Sequence, residues 1–212
     1  MPEITDIRPQ KSRKDRVNVF IDGRYAFALD QVSAHDARLE VGQQVSEARL
    51  SELVNRAGLD SAVSIALRYL ASRPRSEREL RDRLRRRKVG EAVIDRTVEQ
   101  LKARGLLDDF TFAQYWVDQR VAFKPRSRRM LEMELRQKGI DGEAIEDVTL
   151  DMDDEAEAYR AGQRRARSLP TDDFDAFFKK LVDHLRRRGF GYATAAKTAR
   201  GLWSELASPD ES

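Results

Sequence analysis

Apolar positions change their period once along this chain, near Ser46. Before it, Val17, Val19 and Ile21 alternate with other residues, Asp22-Gly23 supplies a turn, and Tyr25, Phe27 and Leu29 alternate again, which predicts a β-hairpin. A three-residue loop ending at Arg24 would pair Ile21 with Tyr25, Val19 with Phe27 and Val17 with Leu29 on one face. It is preferred over a two-residue Asp-Gly loop because it buries both apolar rows together. Ile4 and Ile7 are expected on an edge strand, and Leu39, Val41 and Val45 in a short extended piece.

After the change the spacing is three and four residues, which is helical. Ser46 is placed to cap a helix lined by Leu50, Leu53, Val54 and Ala57 and closed by Gly58, with Asp60 restarting the chain. A helix is expected over 61–72. Ser76 and Glu79 form a capping box for another running to about Lys88, and Val93, Ile94, Val98 and Leu101 stripe a third that Gly105 closes. Asp108 is the next candidate cap, with Leu107 and Phe112 placed as a hydrophobic staple across it.

The helical part repeats. Ser76, Leu80 and Leu84 are matched by Ser127, Leu131 and Leu135, each 51 residues later, and Arg73-Pro74-Arg75-Ser76 recurs as Lys124-Pro125-Arg126-Ser127. A further shift of 50 residues places Leu181, Leu185 and Gly189 under Leu131, Leu135 and Gly139. The second copy opens with Phe112, Ala113, Trp116, Val117 and Val121 and closes with Ile145 and Val148. The third opens near Ala156 and Tyr159, uses Phe174, Phe177, Phe178, Leu181 and Leu185, and ends with Ala195, Ala199 and Leu202. The first copy reads Arg87-Lys88-Val89-Gly90 where the others have glycine directly, which allows its middle helix an extra turn. The expected fold is mainly α: three tandem three-helix modules in an elongated, curved array, preceded by a small β-rich segment. The boundaries expected are 1–58 for the hairpin and its helix, 59–109, 110–152 and 153–206 for the modules, and 207–212 for a frayed tail.

Composition sharpens this picture through charge. Of 212 residues, 36% are charged, and the net charge of +3 conceals strong segregation. Residues 73–88 hold nine Lys or Arg against three acids, 124–138 six against two, and 179–188 five against one, whereas 141–157 carry nine acids and no base. With Leu80 and Leu84 inward, Arg78 and Arg85 fall on the opposite face of the middle helix, and their equivalents are Arg129 and Arg136, then Lys179 and Arg186. All six are basic. Arg73, Arg75 and Arg86, with Lys124, Arg126 and Arg187 in the later copies, extend the same blocks. Long cations on a single helix usually do no more than keep an exposed face in water, but here the acids that normally intersperse them are displaced into 141–157. The pattern points to a basic stripe for a polyanion, with steep salt dependence and no base readout. The acidic segment reads as a solvated linker or an electrostatic surface for a partner. Phe110, Phe112, Tyr115 and Trp116 cluster at helical spacing, so Phe112 and Trp116, like Tyr192 and Trp203, are expected to pack and not to stack on bases.

Catalytic constellations are missing. The sequence has no cysteine and two histidines, His35 and His184, neither with a metal-ligand partner at helical spacing. There is no glycine-rich phosphate loop and no nucleophile elbow. No enzyme activity, metal or cofactor is expected, and with no apolar run of membrane-spanning length a soluble cytoplasmic protein is expected.

Arg75-Ser76-Glu77-Arg78-Glu79-Leu80 with Leu84, then Gly105-Leu106-Leu107-Asp108-Asp109 with Phe112-Ala113, then Leu131, Leu135 and Lys138-Gly139-Ile140 together resemble the RecX regulators of the RecA recombinase. The resemblance covers about 60–150 well, the third repeat loosely and the N-terminal strands in general style. It implies tandem three-helix modules and no catalysis of the chain's own. It also implies a negative modulator that lies in the groove of a RecA filament on single-stranded DNA and suppresses ATP hydrolysis, strand exchange and repressor cleavage, so that recombination, repair and the SOS response are held in check. The family motifs are packing and capping residues, so no contact residue is carried over with them. Two other readings stay open: a helix-turn-helix transcription regulator, and a helical adaptor whose arginines are spent on internal salt bridges without DNA contact. A monomer is expected, because internal repetition replaces symmetry.

Overall fold

The computed structural model describes residues 1–11 and 15–207, so the expected tail over 208–212 lies outside the described residues. The chain forms two compact units, Met1–Leu107 and Asp108–Ser212.

The first unit opens with three antiparallel strands in the order β1 (Ile4–Pro9), β2 (Arg16–Ile21) and β3 (Arg24–Asp30). Ile4 and Ile7 lie on the edge strand as expected, and Val17 pairs with Leu29 and Val19 with Phe27. The turn is tighter than expected. Ile21 pairs with Arg24 across the two-residue loop Asp22-Gly23, and a register shift follows between Val19 and Phe20. Both loop residues take positive φ, 48° and 76°, as the twist of a tight hairpin demands, and Asp and Gly tolerate it. The bulge then restores the register that buries both apolar rows, so loop and burial are satisfied separately. Tyr25, expected inward, is left exposed.

A short helix unmarked in the apolar pattern, α1 (Gln31–Asp36), follows β3, capped by the Asp30 carboxylate, which accepts from the Ser33 amide at 2.8 Å. The extended piece expected at 39–45 reduces to an isolated Glu3–Gln44 bridge, with Val45 buried and Val41 exposed. Ser46 caps α2 (Glu47–Leu70) as expected, but the helix does not stop at Gly58. It runs for 24 residues, about 36 Å at 1.5 Å per residue. A mid-helix glycine costs about 1 kcal/mol. That cost is outweighed because one continuous rod serves two cores: Leu53 and Ala57 pack on the sheet, Ala62 and Ala66 against the first repeat.

That repeat continues with α3 (Glu77–Arg86) and α4 (Glu91–Ala103), whose Leu80, Leu84, Ile94 and Leu101 are fully buried. At roughly 2 kcal/mol for each buried aliphatic side chain, these positions hold the module together. In the second unit α5 (Asp109–Phe123), α6 (Arg128–Gln137) and α7 (Gly142–Thr149) enclose Phe112, Val117, Leu131, Leu135 and Ile145. Helices α8 (Asp154–Ala166), α9 (Phe174–Arg186) and α10 (Tyr192–Ala207) enclose Phe177, Leu181, Leu185, Ala199 and Leu202. Leu107 joins the core of the first repeat and Phe112 that of the second.

The middle helix of the first repeat does not gain a turn. Lys88, at φ 61°, occupies the left-handed position filled by Gly139 (85°) and Gly189 (94°). In each copy the next residue donates back to the second core leucine: Val89 to Leu84, Ile140 to Leu135 and Phe190 to Leu185. That bond ends all three helices alike, in Schellman fashion. The acidic segment is likewise no linker. Asp141 caps α7 and Asp153 caps α8, the Asp154 carboxylate accepts from the Arg128 amide at 2.7 Å, and buried Glu157 pairs with Arg160. Carboxylates gather where helices start because unpaired amides and the positive dipole end favour them there. Among the described residues, no helix is long and apolar enough to cross a membrane, and no group of three His, Cys, Asp or Glu could hold a metal ion.

Candidate nucleic-acid interface

The middle helices α3, α6 and α9 present the basic positions. Ser76 and Ser127 are fully buried caps whose hydroxyls accept from the Glu79 and Met130 amides, at 3.2 and 3.3 Å, fixing where α3 and α6 begin. Asp173 does the same for α9. With the starts fixed and the leucines inward, Arg78, Arg129 and Lys179 are exposed, and their side chains make no ion pair or hydrogen bond among the described residues. Arg86, Lys124, Arg186 and Arg187 share that condition. Arg78 and Arg129 stand in the first turns of α3 and α6, where the helix dipole disfavours a cation by about 0.3–1 kcal/mol.

The other five positions are engaged within the protein. Arg73 pairs with Glu79 at 3.1 Å, Arg126 pairs with Glu134, and Arg75 donates to Ser72 while lying 4.1 Å over the Tyr69 ring. Arg85 is forked onto Glu91 at 2.8 and 3.1 Å and reaches Asp82, and Arg136 reaches Glu132 at 3.3 Å. The Arg85 contact raises its own proton affinity and holds the Glu91 carboxyl below its ordinary value. In Arg85 and Arg136 the outward positions are therefore partly neutralised by a carboxylate, whereas Arg78, Arg129, Lys179 and Arg186 have no such partner among the described residues.

Two of the predicted positions converge. Arg129 of α6 and Arg186 of α9 line one cleft of about 350 Å³ together with Met130, Met133, Gly189 and Tyr192. The close approach of the two copies sets its floor. A Cβ on Gly189 would stand 2.5 Å from the Ser127 hydroxyl and 2.7 Å from the Met130 Cβ, and the Ser127 amide donates to the Arg188 carbonyl at 3.1 Å. Only glycine fits there. Tyr192 is 60% exposed and Met133 44%, so the cleft offers two unpaired guanidiniums beside an aromatic ring and a polarisable side chain. Phosphates and an unstacked base are the groups such a surface accepts.

The exposure of Tyr192 departs from the sequence expectation. It sits three residues before buried Ala195 and fits the apolar stripe of α10, but as the first residue of the helix it lies beyond the neighbours that would cover it. The other aromatic expectations fit: Phe112 is buried, Trp116 packs on the same core with its indole donating to Glu134 at 2.8 Å, and Trp203 packs edge-on against Phe174 and Phe177.

Comparison with known proteins places these features in a family. Residues 2–46 match the family model described as the regulatory protein RecX N-terminal domain, 62–101 the RecX first three-helix domain, and 108–148 the RecX second three-helix domain. The regulatory protein RecX of Listeria monocytogenes serovar 1/2a is 29% identical over 212 residues, covering 99% of this chain and 79% of the relative. That of Oceanobacillus iheyensis is 28% identical over 198 residues, covering 90% and 73%. Among solved structures, a regulatory protein RecX superposes with a TM-score of 0.63 at 22% identity, covering 99% of this chain and 95% of the other. RecX from Lactobacillus salivarius gives 0.57 at 22% identity, covering 68% and 96%. These two likenesses concern the fold.

Proposed function

This chain belongs to the RecX family of regulatory proteins, and from that premise we propose that it is a negative modulator of the RecA recombinase. In this reading it acts as a cytoplasmic monomer without catalytic chemistry of its own. It binds the RecA filament on single-stranded DNA through phosphate contacts and lowers the filament's ATP hydrolysis, strand exchange and co-protease activity. The observation that supports it best is the cleft in which Arg129 and Arg186, both unpaired, stand beside exposed Tyr192. Cations held at fixed repeat positions suit a partner that itself repeats along a polymer, since each module can meet an equivalent phosphate.

The decisive assay adds the chain substoichiometrically to RecA filaments on single-stranded DNA and follows ATP turnover. Turnover is expected to fall, and R129E/R186E is expected to need at least tenfold more protein for the same effect. Unchanged turnover with the unaltered chain would refute the proposal.

A further inference from the structure

The second unit holds another basic cleft, of about 380 Å³, lined by residues that repeat logic does not single out. Its walls are the end of α5 with Phe123 and, just after it, Pro125, then α8 with Arg160, Arg164 and Arg165, and the last turn of α9 with His184 and, two residues beyond the helix, Arg188. Its lining includes no carboxylate. Arg160 is committed to buried Glu157, but Arg164 has no partner among the described residues, and Arg165 reaches only the Ser168 hydroxyl, at 3.3 Å. Phe123 is 64% exposed on the rim. An exposed ring beside guanidiniums without a carboxylate partner is the pairing on which a base stacks while its phosphate meets the cations.

Inside the cleft the protein's own groups register excess positive charge. His184 is half-buried, and its Nε2 accepts from the Arg188 Nε at 2.9 Å, so the ring is neutral in this arrangement. Burial first, and then Arg188, Arg165 and Arg187, push the His184 pKa down against a backbone hydrogen bond with Ala161 that favours the proton. Burial also pushes Arg188 down, helped by Arg126 and Arg187. The α5 wall adds no acid to offset them. An anion here would relieve repulsion among at least three cations at once.

We propose that this cleft is a second single-strand site, in which one nucleotide of the DNA places its phosphate between Arg164 and Arg165 and its base on Phe123. The inference rests on the single-strand binding proposed above but not on Arg129, Arg186 or Tyr192. It has a consequence those residues do not share. Phosphate on Arg165 offsets one of the cations that disfavour imidazolium at His184, so binding draws a proton onto His184 and is stronger on the acid side of its titration.

Affinity of the full chain for an oligo-dT strand, measured against salt, tests it. R164A/R165A is expected to weaken binding at least tenfold at low salt and to reduce the salt slope by about 0.7, the share of the one phosphate held between them. F123A is expected to weaken it by about fivefold or more without changing the slope. All three substitutions fall on exposed side chains, so the fold is expected to stay intact. By proton NMR, the strand is expected to raise the His184 pKa in the unaltered chain and in R129A/R186A, and not in R164A/R165A. If the unaltered chain fails to bind the strand, the single-strand reading itself falls. If it binds and R164A/R165A binds equally with the same slope, or if His184 does not move, the second site is overturned. Equal occupancy by free dTMP, with no gain from the strand, would overturn it as a single-strand site.

Discussion

Residue 88 shows how one backbone angle disciplines a repeat. Lys88 holds φ 61°, a conformation that costs a residue with a Cβ about 1 kcal/mol, where the other two copies use glycine. K88G is accordingly predicted to stabilise the chain by up to about 1 kcal/mol in urea unfolding, and a loss of stability would contradict the account of this helix end. At Gly189 the argument runs the other way, because the backbone is left-handed and Ser127 and Met130 close the space. G189A is predicted to cost about 2 kcal/mol or more by the same measurement. Burial pushes the Glu77 carboxyl up, yet hydrogen bonds from Lys102 and Arg81 outweigh it and hold the group below its ordinary range. A folded-state pKa below the unfolded one contributes stability above the unfolded value that is lost as pH falls through the folded one. E77Q should therefore be less stable than the unaltered chain by about 1 kcal/mol at pH 7, Lys102 being half-exposed, and should match it in acid.

Elements were legible where a cap and a stripe agreed. Ser46, Asp108 and Ser127 begin helices as read from the sequence, and the stripes of α3 and α6 name their buried leucines, whereas the α4 and α9 stripes miss buried Thr97 and Val182 and include exposed Phe174. S127A is predicted to cost about 1 kcal/mol, since it removes the acceptor for the Met130 amide from a buried site. The failures share a cause: local chemistry was overruled from a distance. Gly58 carries the signature of a helix end, but the burial of Ala57 and Ala62 on either side of it carries α2 through. The loop at Asp22-Gly23 was judged by which rows it would bury, and a bulge made that choice unnecessary. Composition suggests a linker for the acids of 141–157, whereas Asp141 and Asp153 stand at helix starts and cap them.

For the whole molecule, repetition in sequence foretold three similar helical cores and the outward placement of Arg78, Arg129 and Lys179. It did not foretell most of the cations the protein spends on itself: Glu132 meets Arg136 at the helical spacing of four, but Glu79, Glu91 and Glu134 reach their arginines through geometry that no period records. Nor did it mark Tyr192 or Phe123, whose exposure depends on where neighbouring helices stop. The central claim is that unpaired cations at equivalent positions meet the phosphates of a polyanion. The most direct measurement is the salt dependence of single-strand binding by the unaltered chain and by R78A/R129A/K179A. If the claim holds, the triple variant binds more weakly and its log-log slope against salt falls by about 2, three contacts at about 0.7 each. An unchanged slope and affinity would contradict it.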